Sequence, residues 1–283
     1  MQPAQALSAM LASQCAAAAV VQKALSDIEA AARLVASALG QGATLHYAAA
    51  GSSGLMALAD ACELPGTFQV PQTQIKVHMA GGVPADGVMP GDTEDSTDDA
   101  ARAAGSVSSG DVAIVISASG TTPYALSFAK AARHSGAKTI AIANKAGSEL
   151  LTLGDVAILL DTPPEVLEGS TRLGAGTAQK IALNMISTQA AVLLGHVHEG
   201  LMVNLNPDNM KLRQRACDIV AKIVGVSGPE AEEALKVTGF DTKAATLVAR
   251  GVALGEAKAL LDRNKGHLRA CLGEMDARTK TTN

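Results

Sequence analysis

The 283 residues contain no tryptophan, two tyrosines and three phenylalanines. A site that holds its ligand by stacking it on aromatic rings is therefore disfavoured, and recognition falls to polar side chains and backbone amides. Strong charge of one sign is also missing: 23 Lys and Arg stand against 27 Asp and Glu, a net charge of −4. The densest basic stretch, residues 211–215, holds three charges at helical spacing, as a solvated helix face does. With no basic run to neutralise a phosphate backbone, nucleic acid is excluded as a partner. The four cysteines, Cys15, Cys62, Cys217 and Cys271, are scattered without a CxxC pair, so zinc and redox motifs have no support. No metal or cofactor is expected. The apolar run at residues 16–21 ends at Gln22 and Lys23, too short for a membrane span, and no leader pattern precedes it. The expected setting is cytoplasmic, with reduced thiols and no membrane partner.

What is present is a globular composition, 48% hydrophobic and 18% charged. Residues 4–39 carry Ala, Leu and Val at helical spacing, ending at Gly40 and Gly42. Strand-like runs follow at 44–49, 74–79, 111–117, 139–144 and 156–160. Between them lie helices predicted from Leu55 to about Cys62, stopped by Pro65 and Gly66, then from Thr93 to Ala104 and from Tyr124 to His134. A long apolar helix is predicted from Thr177, and short helical patterns fill the chain after Lys211. The alternation predicts an α/β fold: a five-stranded parallel sheet flanked by helices, with a small C-terminal helical domain. The expected division is an N-terminal helical segment (1–39), a ligand-binding domain (40–225) and a helical domain (226–283).

Two loops carry the chemistry. Gly51-Ser52-Ser53-Gly54 and Ser117-Ala118-Ser119-Gly120-Thr121-Thr122 each follow a strand and open a helix. A helix start offers unpaired N–H groups and a positive dipole end, small residues admit an anion to the backbone, and hydroxyls add donors. Ser52, Ser53, Ser117, Ser119, Thr121 and Thr122 are thus candidates to cradle a phosphate. The plainer role, hydroxyls capping helices, loses weight because both loops end strands of one parallel sheet, the edge where such folds bind ligands. Neither loop fits GxGxxG or GxxxxGK[ST], which disfavours dinucleotides and nucleoside triphosphates.

The second loop resembles the phosphate loop of sugar isomerase (SIS) domains. Further strings narrow the likeness: Asp60-Ala61-Cys62-Glu63-Leu64-Pro65, Glu94-Asp95-Ser96, Gly169-Ser170-Thr171-Arg172 and Ala175-Gly176-Thr177-Ala178-Gln179-Lys180. In this order, from about residue 40 to 224, they are similar to the N-acetylmuramic acid 6-phosphate etherase family. The resemblance implies cleavage of the D-lactyl ether of an amino-sugar phosphate, in cell-wall recycling, to N-acetylglucosamine 6-phosphate and D-lactate. It places the family's two catalytic glutamates on Glu63 and Glu94. It implies a homodimer and a ubiquitin-associated-like C-terminal domain. One carboxylate would take the proton from C2, beside the C1 aldehyde of the open sugar, and the other would protonate the oxygen leaving C3. The preferred assignment is Glu94 as base and Glu63 as acid, with the reverse left open. Taken alone, Glu94 in a first helical turn also suits the helix dipole, whereas an acid at a helix end, as Glu63 is predicted to be, has no such structural reason. Arg172 and Lys180 flank a Gly-rich helix start and are candidates for contact with the substrate or with an acidic neighbour. His196 and His198, two residues apart, are not read as metal ligands.

Three positions depart from the family pattern: Leu55 and Thr121 where Arg is usual, and Gly174 where Lys is usual. Arginine's bidentate fork makes such losses non-conservative. Three rival functions share the fold: an aldose–ketose sugar-phosphate isomerase, a non-catalytic sugar-phosphate-sensing regulator, and a transcription regulator, which would need an added helix-turn-helix and a basic surface that the sequence does not show. The GSTR…AGTAQK block argues against the first and the retained glutamates against the second.

Overall fold

Five strands form the parallel sheet: β1 (Leu45–Ala49), β2 (Ile75–Met79), β3 (Val112–Ser117), β4 (Lys138–Ala143) and β5 (Val156–Leu159), in the order β2-β1-β3-β4-β5. The computed structural model describes residues 2–281. β1 and β3 are buried along their whole length, as strands covered by helices on both faces must be. Their side chains alternate between two unlike faces. Ala48, Ala113, Val115 and Ala141 share a core with Tyr124 and Phe128, whereas Tyr47, Ile114, Ile116, Ile140 and Ile142 have the opposite parity and are equally buried.

Packing divides the chain into two compact units. One is Met1–Cys62 with Pro71–Gln189, and the other is Glu63–Val70 with Ala190–Asn283. The first holds the sheet. Its helices are α1 (Pro3–Val20), α2 (Leu25–Gly40), most of α3 (Gly51–Phe68), α4 (Thr97–Ala104), α5 (Pro123–His134), α6 (Glu149–Thr152) and most of α7 (Gly174–Leu193).

Three local expectations are corrected. Helix α3 begins at Gly51 and runs through Pro65 to Phe68. Pro65 lies inside the helix, and past it the Gln69 N–H donates to Pro65 O at 3.1 Å, closing the last turn. Glu63 therefore sits inside a helix rather than at its end. Glu94 lies in a turn before α4, whose N-cap is Ser96 with its Oγ accepting from the Asp99 N–H at 3.3 Å. The helix start is set by that cap, which leaves Glu94 outside the dipole's first turn. The apolar N-terminal run is longer than 16–21, because no charged residue occurs before Lys23. By length and composition, Pro3–Gly40 is one helical segment apolar enough to cross a membrane, with mean hydropathy 1.5 over its most apolar window and little of that window buried.

The second unit holds α8 (Met210–Val224), α9 (Gly228–Val237), α10 (Thr242–Ala249), α11 (Leu254–Arg263) and α12 (Leu268–Thr281), with a hairpin of β6 (Val197–His198) and β7 (Leu201–Met202). Ala216, Val220, Leu235, Leu247, Leu260 and Cys271 meet in one core. That core draws in α8 and residues from 203 onward, well before residue 226. The segment Glu63–Val70 is tied to it through Asn204 Nδ2, donating to Phe68 O at 2.8 Å, and Gln69 Nε2, donating to Leu205 O at 2.9 Å.

Candidate active site

The chain passes from β1 outward to β2 and then crosses to β3 on β1's other side. The sheet order thus reverses between β1 and β3, and the carboxyl ends of strands at such a reversal are where parallel sheets take ligands. Both Ser/Thr loops lie there. The first is the start of α3, with Ser53 buried and Ser52 half-buried.

The second loop is internally bonded. Ser117 Oγ lies 2.8 Å from Thr122 Oγ1 and accepts from the Gly120 N–H at 3.0 Å. Ser119 Oγ accepts from the Thr121 N–H at 3.2 Å and from Thr121 Oγ1 at 3.1 Å. Gly120 has φ +65°, and a Cβ there would collide with the Ser148 side chain. Only glycine tolerates both the conformation and the contact. The loop after β4 braces this turn, the Asn144 N–H donating to Ala118 O and the Leu150 N–H to Gly120 O, each at 3.0 Å.

Glu94 is brought to the same place through its backbone: the Tyr124 N–H, in the first turn of α5, donates to Glu94 O at 3.0 Å. The Ser127 hydroxyl repeats the link one turn on, donating to Thr97 O at 3.0 Å. The Glu94 side chain is exposed. Glu63 is also exposed, but it stands eleven residues after Ser52 on α3, roughly 16 Å along the helix axis. Arg172 is exposed two residues before α7. Lys180, exposed on α7, lines a groove with Leu25, Glu29 and Asn184, to which no cradle residue contributes.

Several site-supporting residues escaped the sequence reading. Asp60 is buried, and its carboxylate accepts from Tyr47 OH at 2.7 Å, Asn184 Nδ2 at 2.7 Å and Ser187 Oγ at 2.9 Å. Burial, and then the Asp60 charge, push the Tyr47 hydroxyl well above its ordinary pKa and keep it a neutral donor. Buried Gln179 donates to Asn144 Oδ1 at 2.8 Å, linking the AGTAQK string to the cradle's brace. Glu165 accepts from the Gly174 and Ala175 N–H groups at 3.0 and 2.9 Å, so the amides that open α7 are already occupied by an internal carboxylate. A Cβ at Gly174 would lie 3.2 Å from Ala17 Cβ, a tight contact. The available signal was a polar residue within an otherwise buried helical stripe, as at Asp60 and Gln179. The histidines do other work. In the tautomers the contacts favour, half-buried His78 donates through Nε2 to Nδ1 of buried His46 at 2.9 Å, and His46 Nε2 donates to Asp111 Oδ2 at 3.2 Å.

Comparison with known proteins decides the family. A family model described as a SIS domain matches residues 12–144. An N-acetylmuramic acid 6-phosphate etherase of Deinococcus radiodurans is 39% identical over 274 residues, covering 96% of this chain and 90% of the relative. One from Serratia proteamaculans is 41% identical over 258 residues, covering 89% of this chain and 86% of the relative. The chain belongs to the N-acetylmuramic acid 6-phosphate etherase family. Solved structures share the etherase chain's fold at low identity. The c3406 protein of E. coli CFT073 has TM-score 0.52 at 15% identity, covering 71% of this chain and 97% of that one. Phosphoheptose isomerase GmhA of Neisseria gonorrhoeae has TM-score 0.50 at 17% identity, covering 68% and 98%. The five-stranded parallel sheet and its flanking helices are thus the expected SIS architecture, set in an etherase.

Proposed function

We propose that this chain cleaves the D-lactyl ether of N-acetylmuramic acid 6-phosphate, adding water to give N-acetylglucosamine 6-phosphate and D-lactate. The observation that carries this reading is the Tyr124–Glu94 backbone bond, which holds a carboxylate-bearing turn against a hydroxyl-lined anion loop in a chain of the etherase family. The phosphate takes the N–H and hydroxyl donors of Ser52, Ser53, Ser117, Ser119, Thr121 and Thr122. The last four hydroxyls exchange their mutual bonds for bonds to the anion. Arg172 and Lys180 are assigned to the substrate's anionic groups. Glu94 removes the C2 proton, acidified by the C1 aldehyde, and Glu63 protonates the oxygen leaving C3. The products of this step are D-lactate and a C2–C3 double bond, and water then adds across that bond. Each positioned proton transfer is worth about 10²–10⁴-fold in rate.

The position of Glu63 supports a homodimer whose site draws on both copies. A carboxylate roughly 16 Å along α3 from the cradle is better placed to serve a second copy's substrate. An apolar N-terminal segment with Leu7 and Leu11 exposed suits burial between copies. We take the 226–283 helices, which share a core with α8 and residues from 203 onward, as part of a small helical domain. The free thiols Cys15 and Cys62, both exposed, suit a reducing cytoplasm.

The test is D-lactate release from N-acetylmuramic acid 6-phosphate. Wild type should release it, and Glu63→Gln and Glu94→Gln should each lose at least about 100-fold. Equal mixtures of the two variants, exchanged through mild dissociation, should recover about a quarter of wild-type activity, because each mixed dimer rebuilds one intact site. Mixtures as inactive as their parts would overturn the shared site. No lactate from folded wild type would overturn the etherase reading in favour of an isomerase or a sugar-phosphate sensor.

A further inference from the structure

Among the described residues, Lys243 is the one lysine or arginine that is buried. It sits at the start of α10, and its ammonium donates to Gly266 O at 3.2 Å and approaches Gly195 O at 3.5 Å. No described carboxylate pairs with it. Burying an ammonium without a counter-ion costs several kcal/mol, and burial accordingly draws its pKa below the lysine norm. Nearby His196 offers no compensation. Burial, then the charges of Lys243 and His267, push its pKa to about 4, and its buried Nδ1 has no hydrogen-bond partner.

Lys243 opens onto a cavity of about 470 Å³, also lined by Lys258, Lys265, Asn204, Asp241 and Asp262. Lys258 and Lys265 are exposed and enter no ion pair among the described residues. Asp241 caps α10, accepting from the Ala244 N–H at 3.0 Å, and with Asp262 it sets two acids against the three lysines of the lining. The volume lies within the range of small-molecule sites.

We propose that this cavity binds the phosphate group of a small metabolite, with Lys243 at its floor and Lys258 and Lys265 at its rim. All these groups belong to the helical unit, so the proposal stands apart from the etherase reading. Crystals of the full chain soaked in tungstate, an anomalously scattering phosphate mimic, should show an oxyanion within hydrogen-bond distance of Lys243 Nζ. In calorimetry, a Ser119→Ala/Thr121→Ala background weakens the sheet cradle and leaves the second site to be read. In that background, the surface double variant Lys258→Ser/Lys265→Ser should bind inorganic phosphate at least about tenfold more weakly. Tighter binding of glucosamine 6-phosphate than of inorganic phosphate would identify a sugar phosphate, and equal binding would identify the free ion. Tungstate confined to the cradle, or phosphate affinity unchanged in the double variant, would overturn the proposal whether or not lactate is released.

Discussion

Single residues carry much of this site's definition, and Gly120 most directly. Its positive φ and its contact with Ser148 leave no room for a side chain. Gly120→Ala should destabilise the protein by about 1–3 kcal/mol and weaken phosphate binding, as read by urea titration and calorimetry. The histidines set a pH dependence. Burial, then the neighbouring His46 and Lys76 charges, push His78 to about pKa 4, and burial first among other causes takes His196 to the same value. Unfolded imidazoles take up protons near pH 6.5. Between 6.5 and 4 the unfolded state therefore binds more protons, so stability is complete above pH 6.5 and falls as pH drops toward 4. Each histidine contributes on the order of 3 kcal/mol to that fall. Urea midpoints at pH 7 and pH 5 should show the loss, and His78→Asn should flatten it in the sheet unit.

At the scale of elements, the question is what holds α3, α4 and α7 in register with the sheet. Asp60 answers for α3: one carboxylate gathers donors from β1 (Tyr47) and α7 (Asn184, Ser187). Asp60→Ala would strand the buried Tyr47 and Ser187 donors and free the half-buried Asn184, and should cost about 2–5 kcal/mol by chemical denaturation. Asp60→Asn, which keeps an acceptor, should cost less. For α4 the Ser96 cap matters because the Glu94 turn ends on it. Ser96→Ala should cost about 1 kcal/mol and, in the etherase reading, lower kcat while leaving phosphate affinity intact. Equal losses in both would show that the turn and the cradle respond together.

For the whole molecule, the apolar segment Pro3–Gly40 is the proposed seat of assembly. An uncharged helix α1 with exposed Leu7 and Leu11 needs a cover, and a second copy is the proposed one. Light scattering should give about twice the 28.5 kDa chain mass. Leu7→Lys/Leu11→Lys should yield monomers with lactate release lost. Retention of the wild-type chain on vesicles, with monomers in solution, would point to a lipid cover instead.

The α/β alternation and the placing of both hydroxyl-bearing segments at strand ends were legible in the sequence, because strand burial and helix starts are local properties. Helix boundaries around Pro65 and Glu94 were not, since a tertiary-supported helix runs past a proline and a serine cap outranks an acidic first turn. Only tertiary structure decided that Tyr124 pins Glu94 to the cradle, that Asp60 and Gln179 are braces, and that Glu63 stands far along α3. Those facts depend on which residues meet across the sheet and between helices. One-dimensional spacing carries no record of such meetings, while the free energy of desolvating a carboxylate or seating a hydrogen bond depends on them entirely.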